Sequence, residues 1–285
     1  APSAGPRPDR AADVLGDPAT VDPCALLAGA EPDGAEPAPP ESFDYCVYEV
    51  SRDDGAVVLR VGELTAVDAP TILASGGEEV PGVGRHLRVF RHAGEGDDLC
   101  TRTVYFADEV GLGVSGDTYD TPDTTVPGLC DVVDEATAAV VARLESGRPV
   151  PRAELPAGSI GTLDACAALG DAAIASVLGT GNPAVTEYPA GHQCRWGDEA
   201  VPSLSVRYVR GEVSTEDVVR QEIAGRTTTF YRTEITDRAL CLAETPPGVA
   251  GELAQIVVRL PRGQLDLACQ AAGRLAADAW PKLPS

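Results

Sequence analysis

Asp22-Pro23-Cys24-Ala25-Leu26-Leu27 opens one unit of this chain, and Asp164-Ala165-Cys166-Ala167-Ala168-Leu169 opens another. Three further matches follow in the same order. Cys46-Val47-Tyr48 is answered by Cys194-Arg195-Trp196, Leu99-Cys100 by Leu240-Cys241, and Cys130 by Cys269. The offsets between paired cysteines are 142, 148, 141 and 139 residues, so the two copies differ only in loop lengths. A chain of 285 residues has room for two ordinary domains. Each half is long enough to bury one modest core.

The ends of the two copies agree in periodicity. After Cys130, apolar or small residues recur at Val133, Thr137, Val140, Val141 and Leu144. After Cys269 they recur at Ala272, Ala276, Ala279, Trp280 and Leu283. The increments are the same, and they trace one stripe of an amphipathic helix. Each copy therefore closes on a helix whose buried face carries its last cysteine.

Each copy also opens on a helix. Asp22 is an N-cap with Pro23 at the first helical position, and Asp164 repeats the cap. The second opening helix is expected to run to a stop at Gly179. The first is short and gives way to an acidic, Pro-rich loop over 31–41. Between these helices the chain reads as strands near 43–50, 56–64, 85–92, 99–107 and 110–116. In the second copy they fall near 192–197, 203–210, 227–235, 239–245 and 254–260. Alternation is plain in Val57-Val58-Leu59-Arg60-Val61 and in Leu204-Ser205-Val206-Arg207-Tyr208-Val209. A helix is expected after the second strand of each set, from Asp68 and Pro70 to Ala74 and from Thr215 to Ala224. The fold class is thus α+β. It consists of two tandem repeats of order α-β-β-α-β-β-β-α, each an antiparallel sheet flanked by helices.

The domains follow from this reading. Residues 1–20, rich in Pro, Ala and Asp, are expected to form a disordered tether. Residues 21–145 form the first domain, and 146–158, with three prolines, form a semi-stiff linker. Residues 159–285 form the second domain. The bias toward Ala, Gly, Pro, Arg and Asp, with Lys282 the one lysine and Asn182 the one asparagine, reads as a high-GC genome.

No apolar run is long enough to span a bilayer. The opening APSAGPRPDR has neither the basic start nor the apolar stretch of a secretory signal. The chain reads as a processed one from which an export signal or anchor has been removed. The net charge of −22 argues against nucleic acid, whose phosphates this surface would repel. The first 147 residues carry −19 and the remainder −3. Solubility accounts for such a charge; a face for a cationic partner is the sharper alternative.

Metal sites need close ligand spacing, and the nearest cysteines, Cys24 and Cys46, are 22 residues apart. The eight cysteines therefore read as disulfides, which implies an oxidising compartment. Four cysteines per copy allow three pairings. We adopt Cys24–Cys46, Cys100–Cys130, Cys166–Cys194 and Cys241–Cys269, because each bond then staples a terminal helix to a neighbouring strand.

The opening motif, a Cys-x-Tyr or Cys-x-Trp in the first strand, a third Cys in a later strand and a fourth heading the last helix together resemble a family of actinobacterial secreted lipoproteins. Those carry a domain of unknown function. The pattern is also similar to the two-disulfide extracellular sensor domain of mycobacterial serine/threonine kinases, and the element order resembles PsbP-like α/β/α sandwiches. The resemblance covers 21–145 and 160–284, with Ala165 standing where the motif has Pro. It implies secretion across, or attachment to, an actinobacterial envelope, and it brings no catalytic residues.

Gly111-Leu112-Gly113-Val114-Ser115-Gly116 fits G-x-G-x-x-G, but it is itself a strand and is followed by turn residues. Its glycines are read as a bulge or a close backbone approach. Asp117, Asp120 and Asp123 lack the alternating spacing of a calcium loop, and no nucleophile elbow is present. His86, His92 and His192 fall in no catalytic motif. No catalytic residue, cofactor or metal is therefore assigned. Arg195, Arg207 and Arg210 on the first two strands of copy two, with Trp196, form a candidate interaction patch. The competing reading has Trp196 packed in the core against the disulfide and the arginines solvated. The chain is expected to be a non-enzymatic extracytoplasmic protein that binds a small ligand or an envelope partner, as a sensor or accessory subunit. The alternatives are an assembly component of a surface complex or, less favoured, a secreted hydrolase.

Overall fold

A computed structural model describes residues 9–52, 55–94, 96, 98–118, 126–180, 183–197, 201–213 and 218–284. The chain divides into two compact units between Glu154 and Leu155.

In the first unit, helix α1 (Ala11–Leu15) leads through short 3-10 turns into strands β1 (Ala35–Pro37), β2 (Cys46–Arg52) and β3 (Gly55–Ala66). Helix α2 (Ala69–Ala74) then precedes β4 (Glu78–Glu79), β5 (Arg88–Arg91), β6 (Leu99–Tyr105) and β7 (Val110–Asp117), and α3 (Leu129–Leu144) follows. The second unit holds α4 (Asp171–Leu178), β8 (Val185–Glu187), β9 (Gln193–Trp196), β10 (Ser203–Arg210), β11 (Val219–Ile223), β12 (Arg226–Glu234), β13 (Arg238–Thr245), β14 (Glu252–Pro261) and α5 (Leu265–Ala279). The sheets run β1-β2-β3-β7-β6-β5-β4 and β8-β9-β10-β14-β13-β12-β11. Each has seven strands, and the order is the same in both. All pairings are antiparallel. The α+β class and the repeated architecture expected from the sequence are therefore present, with two disulfides in each unit.

The closing helices bury the predicted stripes. Val133, Thr137, Val140, Val141 and Leu144 are buried on α3, and Ala272, Ala276 and Ala279 are buried on α5, with Trp280 and Leu283 just beyond it. Beneath α3 the first core is built from alternate residues of β2, β3, β6 and β7, such as Val57, Leu59, Val61, Leu112 and Val114. The opposite face of the same sheet is partly covered by α2, whose Ile72 joins Phe90 and Tyr105 in a small cluster of its own. Asp68 caps α2 by accepting the Thr71 N–H at 2.7 Å.

The G-x-G-x-x-G segment is strand β7, and two of its glycines mark close approaches. A Cβ on Gly116 would lie 2.8 Å from Val133 Cγ2 of α3, and one on Gly111 would lie 2.6 Å from Thr103 Cγ2. Asp120 and Asp123 lie outside the described residues, whereas Asp117 pairs with Arg60.

Four expectations need correction. First, residues 11–20 are no tether. Ala11 and Leu15, one helical turn apart, enter the first core, and the Ala11 N–H is held by Asp108 Oδ1 at 2.9 Å. Two apolar residues at that spacing suffice to dock a helix that Pro and Asp obscure in the composition. Residues 1–8 lie outside the described ones. Second, residues 150–153 of the expected linker belong to the first unit. Val150 is buried in its core, Arg152 forms a β-bridge with Val21, and the Ala153 N–H donates to Thr20 O at 2.9 Å. Third, the opening helix of the second copy is broken. Asp164 caps a 3-10 turn at Ala165–Ala167, and α4 starts afresh after Gly170, ending at Gly179 in the left-handed conformation. Fourth, the described part of the helix expected from Thr215 to Ala224 is not helical. Residues 219–223 form β11, because Ala224 and Gly225, both at positive φ, close a two-residue hairpin onto β12. The expected cap, Thr215, and its first partner Glu216 lie outside the described residues.

Candidate functional site

The four bridges join the expected pairs. Cys24–Cys46 and Cys166–Cys194 tie the opening turns to β2 and β9. Cys100–Cys130 and Cys241–Cys269 tie α3 to β6 and α5 to β13, with Cα–Cα distances from 4.9 to 5.4 Å. Both lie in the usual disulfide range. Beside the first bridge, the Tyr48 hydroxyl donates to Cys24 O at 3.2 Å. Burial, with Glu31 and Asp22 nearby, pushes that phenol up to about 12.

The candidate patch divides between the two faces of the second sheet. Trp196 lies opposite Leu204 in the register and is buried with the core residues. Arg210 shares the parity of Leu204, Val206 and Tyr208, so it too belongs to that face. Arg195 lies opposite Ser205, and Arg207 stands two residues further along the same strand. Both therefore project from the outer face, away from α5. The sheet brings to them a residue the sequence reading left out. Arg259, across from Ser203 on β14, projects from the same outer face. Burial lowers the pKa of its guanidinium, and repulsion from Arg207, Arg195 and Arg238 adds to the shift. Nothing local in the sequence singles out Arg259, because it is brought to the patch only by the pairing of β10 with β14.

An acid lies further along this face. Glu244, buried on β13, accepts from the Tyr231 hydroxyl at 2.7 Å and from Gln255 Nε2 at 3.1 Å. Burial raises its pKa, and the two hydrogen bonds oppose the rise without overcoming it.

Each unit also has a concavity. In the second, a groove of about 640 Å³ runs between the β11–β12 hairpin and α5. Val219, Ile223, Phe230 and Gly273 line it, with Arg232 and Asp266 ion-paired at its rim. In the first, a cavity of about 520 Å³ is lined by Asp9, Asp13, His86, Glu145, Arg148 and Arg152. There the Glu145 carboxylate accepts the backbone N–H groups of Arg85, His86 and Leu87 at 2.7, 2.6 and 3.0 Å. Burial acts to raise its pKa, but these hydrogen bonds outweigh it and hold the group below the usual carboxylate value. Among the described residues no group of three or more His, Cys, Asp or Glu side chains is gathered as a metal site would require. No helix among the described residues is long and apolar enough to cross a membrane.

No family model matches this chain, and no curated protein matches it. Among solved structures it is similar to DynU16, a protein in the dynemicin biosynthetic locus, at 17% identity over 96% of this chain and 94% of that one. The TM-score is 0.22, too low for the likeness to bear on fold or function.

Proposed function

We propose that this chain is a non-enzymatic binding protein of the actinobacterial cell envelope. It works outside the cytosol, as a sensor or accessory subunit that takes a small ligand or an envelope partner. The observation that supports this most is the set of four bridges, placed at corresponding points of two repeats. Each fastens a terminal element to a sheet, and such bonds persist where thiols are kept oxidised. The opening motif at Asp22–Leu27 supports the envelope assignment, and the groove beside α5 offers a concave surface for binding.

An assembly role is favoured by one feature. Three of the four sheet edges are strands of only two or three residues, whereas β11 has five and carries Val219 at 44% exposure. Natural sheets usually keep such edges short or covered.

Photo-crosslinking on intact cells, followed by fractionation and thiol alkylation, tests the proposal. The protein is expected in the envelope or medium, fully bridged, and crosslinked to one discrete component. Recovery from the cytosol with eight alkylated thiols would overturn it.

A further inference from the structure

The two sheets share one topology, so their positions can be compared strand by strand. Val61 on β3 faces both Cys46 and Val114, and Val206 on β10 faces both Cys194 and Ile256. In that register Arg60 corresponds to Ser205 and Asp117 to Arg259, while Arg207 falls where the first sheet has the irregularity between Val61 and Leu64. In the first sheet Arg60 and Asp117 form an ion pair on the outer face, so the charge is balanced within the unit. In the second sheet the acid has become Arg259, and the unbroken pairing of β10 with β14 adds Arg207 to the same face.

Nothing among the described residues replaces the lost counter-charge. Arg207 and Arg259 are half-buried, and neither forms an ion pair with a described residue. The Arg207 Nε is buried without a hydrogen bond, and so is the Ser205 hydroxyl, on a side chain that is 0% exposed. Ser205 shares the outer face with both arginines, two residues before Arg207 and diagonal to Arg259. Glu244 does not offset them, since it is engaged by Tyr231 and Gln255. A buried guanidinium Nε and a buried hydroxyl without hydrogen-bond partners, beside a second half-buried arginine, are a costly arrangement that a bound anion would relieve.

We propose that the outer face of the second sheet binds a phosphate-type oxyanion, held by Arg207 and Arg259 with the Ser205 hydroxyl as a further donor. Two guanidinium charges call for a dianion, which a single carboxylate does not supply, and arginine forks fit phosphate oxygens. The ligand is a small one, because a chain of net charge −22 repels polyanions and anionic surfaces. This names the ligand class for the binding role proposed above and rests on that role.

The test is calorimetric titration of the whole, oxidised protein with inorganic phosphate, against sodium chloride at equal ionic strength. A parallel arm uses phosphatidylglycerol and phosphatidylcholine vesicles, to tell a free phosphate from a lipid headgroup. Wild type is expected to bind phosphate saturably. Arg207→Gln and Arg259→Gln should each weaken binding by about tenfold or more. Ser205→Arg combined with Arg259→Asp, which copies the ion pair of the first sheet, should abolish it, and Arg60→Gln should leave it unchanged. The buried Trp196 and Trp280 report by fluorescence whether each variant of the second unit is folded. Ser205→Ala, a small change, is the second probe, expected to weaken binding severalfold. Absence of saturable binding to wild type would overturn the proposal. So would folded Arg259→Gln and Ser205→Ala variants that bind within about twofold of wild type, or binding to phosphatidylglycerol vesicles without binding to free phosphate. A crosslinked partner with no phosphate binding would remove this proposal and leave the binding role standing.

Discussion

Removing the bridge between β13 and α5 gives a sharp energetic prediction. Cys241 and Cys269 are 28 residues apart, and the chain-entropy relation for a loop of that size gives roughly 3.6 kcal/mol at 25 °C. Cys241 is buried, so Cys241→Ala with Cys269→Ala avoids leaving an unsatisfied hydroxyl in the core. The small void left by the sulfur atoms adds to the loss. Set against the roughly 5–15 kcal/mol of a typical domain, this is a large fraction. The chain supplies its own probe. Its two tryptophans, Trp196 at 4% and Trp280 at 1% exposure, both belong to the second unit, and Trp280 Nε1 donates to Thr228 Oγ1 at 2.9 Å. Tryptophan fluorescence during urea unfolding therefore follows that unit alone. With a urea slope of about 2 kcal/mol/M, the midpoint should fall by roughly 2 M. A fall of less than about 0.5 M at unchanged slope would refute the view that this bridge constrains the unit.

Three further outcomes follow from the packing. Gly273 lies inside α5, and a Cβ there would meet Phe230 and Ile223 at 3.7 to 4.0 Å, ordinary contact distances. Gly273→Ala should therefore raise the tryptophan midpoint by the equivalent of up to about 1 kcal/mol, and a lowered midpoint would contradict this. Gly116→Ala, by contrast, forces a Cβ to 2.8 Å from Val133 Cγ2 and should destabilise the first unit by about 1–3 kcal/mol, read as faster amide exchange in β7 and α3. Glu145→Ala removes the acceptor of three backbone N–H groups and should cost roughly 2 kcal/mol at neutral pH. Because the folded-state pKa of Glu145 is lowered, its contribution is complete above the ordinary value of 4.5 and is lost as the pH falls through the folded value. Thermal melts of wild type and variant should therefore converge below pH 4.5, and a constant difference down to strongly acidic pH would contradict the assignment.

What could be read from the sequence was whatever repeats or alternates. The cysteine frame, the stripes on α3 and α5 and the central strands all carry a period, and each sits where that period places it. The edge strands β1, β4, β8 and β11 carry none. Ala35-Glu36-Pro37 and Glu78-Glu79 are too short and too polar to alternate, and they exist only because a neighbouring strand supplies hydrogen bonds. The stretch 219–223 looked helical because Thr215 offered a cap, whereas Ala224 and Gly225 decide the matter by turning the chain back on itself. Helix α1 was hidden by its flanking prolines and acids. The arginine patch was half legible. Strand parity separates Trp196 and Arg210 from Arg195 and Arg207, and that much the alternation of 203–210 could have revealed. The arrival of Arg259 could not be foreseen, since it depends on which strand lies beside β10. The loss of the Arg60–Asp117 pair in the second copy also emerges only from register.

The two repeats and their compartment depend together on how the sulfur atoms are joined, and non-reducing peptide mapping of the native protein by mass spectrometry examines that directly. Cys24–Cys46, Cys100–Cys130, Cys166–Cys194 and Cys241–Cys269 are expected, with no other linkage. A bridge joining a cysteine of the first unit to one of the second, or eight free thiols, would contradict it.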